Sequence, residues 1–548
     1  MSIILVLQRG VRLCNRFRFF SAPFTRPFTR SFIRSFTRLL CVSSLLLGLW
    51  YQVWQPANAQ APLTDTTSGQ QPADVAAPHA IYLPYVSANE QASPTTTPPT
   101  TTPPTTMSSS DSTYGAATVG ESLEKPCVTK ATVPTALVLS PADDWQSALT
   151  QAGPSATILL HGGTYQSTDK LWIPNGQPNR LITIQPYNCE AVTLYTSLRP
   201  GSYNVIAGLH IEAVGISDTT WAIRIDGKNK GPIRQVVIRN NTILGGDKDA
   251  VKVSADVVGA TITGNHIDGG KASHDLNVQS EGTATAPDQI VISNNLLTKH
   301  YFNSVSEDML QVIDALNIEF SHNTCADGPA MEQCVDIKET RAPLNIHNNI
   351  FDGGSLHTVG DGVDGSAGCM VIHEHNKQPE NHLIDHNLFR NCRDTVIRFA
   401  SEGGNALARA TVRNNIFISP DSTDLDGLLI WRAQDVDFEN NTMIRGDLKL
   451  GVAGDATRTP VNTTLKNNLF YQTRIDDRTT PPTSTYQCSY NLSFQITGNV
   501  GQANCQNSQW NADPLLPDIA HEQLKPASNS PACEGGENGV TQGALPCL

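Results

Sequence analysis

The sequence predicts an all-β solenoid, a chain wound into stacked coils of short strands. Three observations predict it. A short phrase recurs nine times at spacings of 24 to 38 residues, and a period in that range marks a stack of like units. Each copy alternates apolar and polar residues, the two-residue period of a strand. Each copy then carries a polar pair whose second member is Asn: Asn241, Asn265, Asn295, Asn323, Asn349, Asn387, Asn415, Asn441 and Asn468.

The elements follow in chain order. The first 59 residues hold eight Arg, no Lys and no acid, then an apolar stretch from Leu39 to Trp54 and Ala57-Asn58-Ala59. A basic region, an apolar region and a small-x-small site make an export signal, so residues 1–59 are set aside and a secreted, extracellular or surface-associated protein is expected. Cleavage after Ala59 leaves 30 of the 38 basic residues against 51 acidic ones, a net charge of −21. That excludes a general nucleic-acid binder. With charged residues at 16% of the chain, a coiled coil is excluded as well. No membrane span remains after the leader, and a monomer is expected.

Residues 60–125 read as an unstructured linker. Pro94 to Thr106 is a Thr-Pro tract, an extended spacer with little to bury. A folded domain is expected over 126–548. It opens with an amphipathic helix over Ala142–Ala152, capped by Ser140 or Asp143, and strands at 156–165, 171–174 and 180–187.

Within the repeats, the phrase itself gives a strand, a bend at the polar pair and a second strand, as in VVIRNNTI (236–243) and LNIHNNIF (344–351). Asn accepts the left-handed backbone of a tight bend, and amides stacked in register can hydrogen-bond along the stack. Another strand set precedes each phrase: WAIRIDG (221–227), DAVKVSA (249–255), DLNVQSE (275–281), DMLQVID (308–314), QCVDIKE (333–339), GCMVIHE (368–374), DTVIRFA (394–400) and DGLLIWR (426–432). Each unit therefore supplies three strands.

Three strands per coil with an Asn bend resemble the right-handed parallel β-helix proteins of the pectate-lyase-like architecture. The opening helix with its Gly-Thr-Tyr turn, and the closing DPLLPD (513–518) and LKPASNSPAC (524–533), are similar to the ends of the same group. The resemblance implies an all-β right-handed parallel β-helix with a short N-terminal capping helix. Many functions share that fold. Ten Cys lie beyond the leader, an even number that suggests disulfides in an exported chain. Cys325–Cys334, Cys488–Cys505 and Cys533–Cys547 are candidate short-range pairs.

In this architecture the groove lies over the first strand set. Its outward residues alternate along each strand: Arg224 and Asp226, Lys252 and Ser254, Asn277 and Gln279, Gln311 and Ile313, Asp336 and Lys338, Val371 and His373, Ile397 and Phe399, Leu429 and Trp431. The polar part, Arg224 to His373, covers roughly 24 Å at about 4.8 Å per rung, room for several sugars. At DTVIRFA the same register turns Arg398 inward, which marks a shift there. Lys338 and Lys252 are candidate bases that remove a proton α to a uronate carboxylate, with Arg341 and His373 as further catalytic candidates. His274 is another acid–base candidate. Asp336, Asp308, Glu339, Glu307 and Asp249 are candidate oxygen ligands for Ca²⁺, which would neutralise the substrate carboxylate. The Asp-Gly loop before Met370 adds Asp352, Asp361 and Asp364. Asn277, Gln279, Gln311 and Trp431 are candidate sugar contacts. VDIKE (335–339) resembles the strand with a catalytic Lys in alginate and chondroitinase-like lyases, without their paired upstream Glu. The expected function is Ca²⁺-assisted β-elimination on an acidic polysaccharide. The alternatives are a glycan-binding or adhesion β-helix, and a hydrolase using the Asp308/Asp336 pair.

Overall fold

The computed structural model describes residues 128–548, except 214–220, 247, 270–273, 284, 299–307, 327–331, 354–367, 374–380, 393–394, 401–406, 420–425, 431–432, 452–458 and 480–485. The leader and the whole linker fall outside that range, with Cys127, Asp247, Glu307, Asp361, Asp364 and Trp431. The backbone of His373 is described, but not its side chain.

Among the described residues, every strand pairing between successive coils is parallel and joins segments 17 to 38 residues apart, so the chain is a parallel β-solenoid. A six-residue helix, Trp145–Thr150, precedes the coils and buries Trp145 and Leu149. Its N-cap is Asp144, whose side chain accepts from Ser147 N. Asp143 instead accepts from the Ser140 backbone and hydroxyl. Both expected caps are displaced because these two residues satisfy each other.

Three strand sets run up the solenoid. The first is Ile223–Ile225, Val251–Val253, Leu276–Gln279 and their successors. The second is Val237–Arg239, Thr261–Thr263 and on to Thr463–Lys466. The third is Thr242–Leu244, His266–Asp268 and on to Leu492–Phe494. Alternation sends one apolar residue per strand inward. In the second set these are Ile238, Ile262, Ile292, Phe320, Ile346, Ile384, Val412 and Phe438, all buried. Burying each such side chain stabilises the fold by about 1.5–3 kcal/mol. In the third set Phe351, Phe389 and Phe417 stack at centroid separations of 4.6 and 5.1 Å. Phe438 of the second set continues the stack, 5.7 Å from Phe417.

The Asn ladder sets the turn between the second and third sets. Asn241 Nδ2 donates to Asn265 Oδ1 at 3.0 Å, and the same bond links each rung to the next up to Asn468 and Asn491. Each Oδ1 also accepts the backbone N–H of the Asn below, as from Asn265 N to Asn295 Oδ1. Each Nδ2 also reaches a backbone carbonyl, as from Asn349 to Phe320. Asn491 extends the ladder beyond the nine copies seen in sequence. The left-handed residue of the bend is not the ladder Asn but the one before it: Asn240, Asn294, His322, Asn348, His386, Asn414, Asn440 and Asn467 all have φ of 53–56°. The second member stays available to bond because the first absorbs the turn.

The C-terminal segment folds back over the last coils. Leu524 and Leu545 pack with Ile416 and Ile444, and Ala532 with Leu469 and Leu492. Cys533–Cys547 closes it, and Cys488–Cys505 joins successive rungs. The third expected pair does not form. Cys325 and Cys334 are buried thiols, and Cys369 bonds Cys392 across one coil.

Candidate active site

The outward column of the first strand set is continuous. Arg224, Lys252, Asn277, Gln311, Asp336, Val371 and Arg398 pair in register from one coil to the next. Up to Val371 this is the expected column, and two corrections follow. Arg398 stays outward, while Ile397 and Phe399 are fully buried in the core. The shift marked at DTVIRFA is present, and the expected outward places of Ile397 and Phe399 fail because Ile and Phe gain by burial, whereas an arginine cannot be solvated among apolar rungs. The second correction is at Lys338. The register slips so that Ile313 faces Glu339, leaving Lys338 as the bulged residue. A bulge bends the strand and re-aims a side chain.

The column changes character along its length. At one end Arg224 and Arg199 lie over the Trp221 ring, 4.4 and 5.5 Å from its centroid. Arg224 pairs with Asp226 and with Glu281 at 3.1 Å. Glu281 also meets Lys228 and Lys252. Lys252 is buried, lies 4.0 Å from Asp249, and donates to Gln279 at 3.0 Å and Asn277 at 3.4 Å. Burial pushes its ammonium pKa down, against the pull of Asp249 and Glu281.

Next to it a chain of polar contacts crosses the rungs. Asp249 accepts from Trp221 Nε1 at 3.0 Å and meets His274 Nδ1 at 2.9 Å. His274 Nε2 lies 3.7 Å from Asp308 Oδ2. Asn277 Nδ2 donates to Gln311 Oε1 at 3.1 Å, and Gln311 Nε2 reaches Asp308 Oδ2 at 3.5 Å. Asp308 is the most perturbed group here. Its Oδ1 is buried without a hydrogen bond. Burial first, and the nearby Asp336 second, push its pKa well above the carboxylate range. Asp336 is buried and pairs with Lys338 at 3.1 Å. The Lys338 side chain is 39% exposed, so its amine reaches the surface beside two buried acids.

The predicted residues thus divide. Lys252, Asp249, Asn277, Gln279 and His274 form one network, and Gln311 links it to Asp308, Asp336 and Lys338. Arg341 is committed elsewhere: it binds Asp314 through Nε and Nη2 and the Thr283 carbonyl. Glu339 takes the register place beside Ile313. His373 lies on Gly368–His373, opposite Ala400. Glu307 and Trp431 lie outside the described residues. Asp352 is held by Arg390 and Asn391. Sequence reading passed over Glu281 and Trp221, which organise the basic end. The signal for Glu281 was its place just past DLNVQS, where it folds back with φ 53°.

Among the described residues, no group of three or more His, Cys, Asp or Glu side chains is arranged to hold a metal ion. Asp308 and Asp336 remain a two-carboxylate donor set. The unbonded Asp308 Oδ1 fits a hard cation, which takes oxygen ligands.

No family model matches the chain, and no curated protein matches it in sequence. Solved structures do resemble it. The PL6-family alginate lyase AlyGC aligns over 75% of this chain and 57% of its own, at 16% identity and a TM-score of 0.49. A mutant of that enzyme gives 0.52 with the same identity and coverage. Pectate lyase Pel9A aligns over 75% of this chain and 96% of its own, at 10% identity and a TM-score of 0.43. This chain therefore spans little more than half the length of the alginate lyase. The alignment at a TM-score of 0.52 speaks for the fold alone. The molecule is an all-β parallel β-solenoid.

Proposed function

We propose that this is a secreted polysaccharide-active β-helix protein that cleaves an acidic glycan by β-elimination. The observation that carries the reading is Lys338: a bulge lifts its amine to the surface beside the buried Asp308/Asp336 pair, in a polar outward column. The likeness to an alginate lyase supports the substrate class. Lys338 is the base that takes the proton α to the uronate carboxylate. Arg224 and Lys252 give one end of the column positive charge in an otherwise acidic protein, and Asn277 and Gln311 hold the geometry between the two ends. Ca²⁺ is part of the proposal, with Asp308 and Asp336 as the residues that would hold it. Bound there, the ion would offset the carboxylate charge that now pairs with Lys338 and would neutralise the uronate carboxylate. The disulfides among the described residues support the exported setting, and no described helix is long and apolar enough to cross a membrane.

The test incubates the protein with pectate, alginate and glycosaminoglycans and follows the ultraviolet absorbance of unsaturated uronate, with Ca²⁺ and with chelator. A calcium-dependent rise on one substrate is expected, lost by 100-fold or more in Lys338→Ala, the scale of a missing acid–base group. A rise abolished by Lys252→Ala and retained in Lys338→Ala would move the base to Lys252. The second reading is a non-catalytic glycan-binding protein. It is favoured by the way Lys252, Asn277 and Gln311 are buried and bonded to one another. A flat trace on every substrate from folded protein selects it.

A further inference from the structure

A cavity of about 430 Å³ lies away from the charged column, at the N-terminal end of the Asn ladder. That volume falls in the range of small-ligand sites, roughly 300–1,000 Å³. It exists for a local reason. On the rungs above, the second and third strand sets join through a tight bend, but here Pro186 is followed by the longer loop Tyr187–Ala191. Asn188 and Cys189 of that loop take the left-handed backbone. Cys189 is disulfide-bonded, and Glu190 accepts from Gly162 N and meets His161, so the loop is anchored as an overhang. Beneath it the next bend is Ala207-Gly208, which leaves space in front of Arg239 on the following rung.

The floor of the cavity is the outward face of the third strand set. Thr193, His210 and Thr242 stand one above another in register, and Tyr195 lies beside them opposite Glu212. Arg239 lines the side, and its Nε is buried without a hydrogen bond. His210 Nε2 is only 3.5 Å from Glu212, a weak tie. A guanidinium fork binds a carboxylate through two parallel N–H donors. A phenol ring offers a sugar an apolar face, and hydroxyls and an imidazole suit its own hydroxyls.

We propose that this cavity is a second carbohydrate site, which takes one carboxylated sugar unit with its carboxylate on Arg239 and its ring against Tyr195. The acidic-glycan class is shared with the function above, but neither the residues nor any bond-breaking step is. Glu190 faces the same space, and its existing bonds to Gly162 N and His161 keep it at the rim as an acceptor for sugar hydroxyls.

The experiment is calorimetric titration of the full-length protein with trigalacturonate, trimannuronate and neutral cellotriose. Wild type, Arg239→Ala, Arg239→Lys, Tyr195→Ala and Lys338→Ala are compared. One acidic trimer is expected to bind a class of sites that Arg239→Ala weakens at least tenfold. Arg239→Lys should keep part of it, since a point charge replaces a fork, and Lys338→Ala should keep all of it. Cellotriose should not bind that class. Superimposable isotherms for wild type, Arg239→Ala and Tyr195→Ala overturn the proposal, as does equal binding of cellotriose. Tyr195→Ala decides the matter if Arg239→Ala fails to fold. Arg239-dependent binding without any lyase activity would refute the catalytic reading alone. Lyase activity without Arg239-dependent binding would refute the second site alone.

Discussion

Two ladders run along this solenoid, and they are built differently. The Asn ladder lies inside the bend and is uniform, with one amide per rung bonded to its neighbours and to backbone at 2.8–3.2 Å. The column of the first strand set lies outside and is not uniform. It passes from Arg224 and Lys252 through Asn277 and Gln311 to Asp336, and one member of its surroundings, Asp308, keeps a buried oxygen without a hydrogen bond. A uniform ladder has every donor matched by an identical acceptor and serves stability. A column whose residue type changes at each rung gives up that matching, and buried polar atoms without partners cost free energy.

Substitutions can break the contrast, and four are ordered by the size of the expected change in stability. The largest effect should come from the apolar stack beside the Asn ladder. Phe389→Ala removes a buried ring that stacks on Phe351 and Phe417, and about 3–5 kcal/mol should be lost in denaturant unfolding. A smaller loss would mean that the coil collapses into the cavity.

Asn349→Ala comes next. It strips the acceptor from Asn323 N and Asn323 Nδ2, and the donor from Asn387 Oδ1 and the Phe320 carbonyl. Several buried partners left unsatisfied should cost roughly 2–4 kcal/mol. An equal cost for Asn277→Ala would erase the proposed distinction between ladder and column.

Asp308→Asn should act in the opposite direction at neutral pH. Its folded pKa is raised by burial and by Asp336. The folded state therefore holds the proton more tightly than the unfolded chain. The stabilisation is complete below the ordinary carboxylate pKa and is lost as pH rises through the folded value. The Asn variant should show a flatter rise and fall of melting temperature above pH 4 and should exceed wild type at pH 7. A parallel pair of curves would show that Asp308 is already ionised in the fold.

Lys338→Ala should change stability least, within about 0.5 kcal/mol, because a partly exposed ion pair contributes little. Its effect on turnover should be the largest of all. A variant that is both inactive and badly destabilised would mean that Lys338 holds the bulge and not the substrate.

Much of this was legible in the sequence because a solenoid repeats its rules. Asn241 to Asn468 announced the ladder, and alternation placed Arg224, Lys252, Asn277, Gln311 and Asp336 on one outward column. The misreadings fall where repetition is interrupted. The bulge at Lys338 and the register at Ile397-Arg398-Phe399 depend on pairing with a neighbouring strand. Cys369–Cys392 in place of Cys325–Cys334 depends on which rungs become adjacent after an insertion. Arg341 looked close to Lys338 in sequence, but its guanidinium found Asp314 across the rung.

The sequence by itself determined the period, the inward and outward faces and the residues on each column, since these follow from strand alternation and a repeating bend. Only the tertiary structure decided which outward residues face water. His210 and Thr242 border a cavity, whereas Ile416 and Leu469, on the same outward face further along, lie under the C-terminal segment. The physical reason is that alternation is a property of one strand. Burial, ion pairing and a raised carboxyl pKa are properties of whatever other parts of the chain come to lie against it.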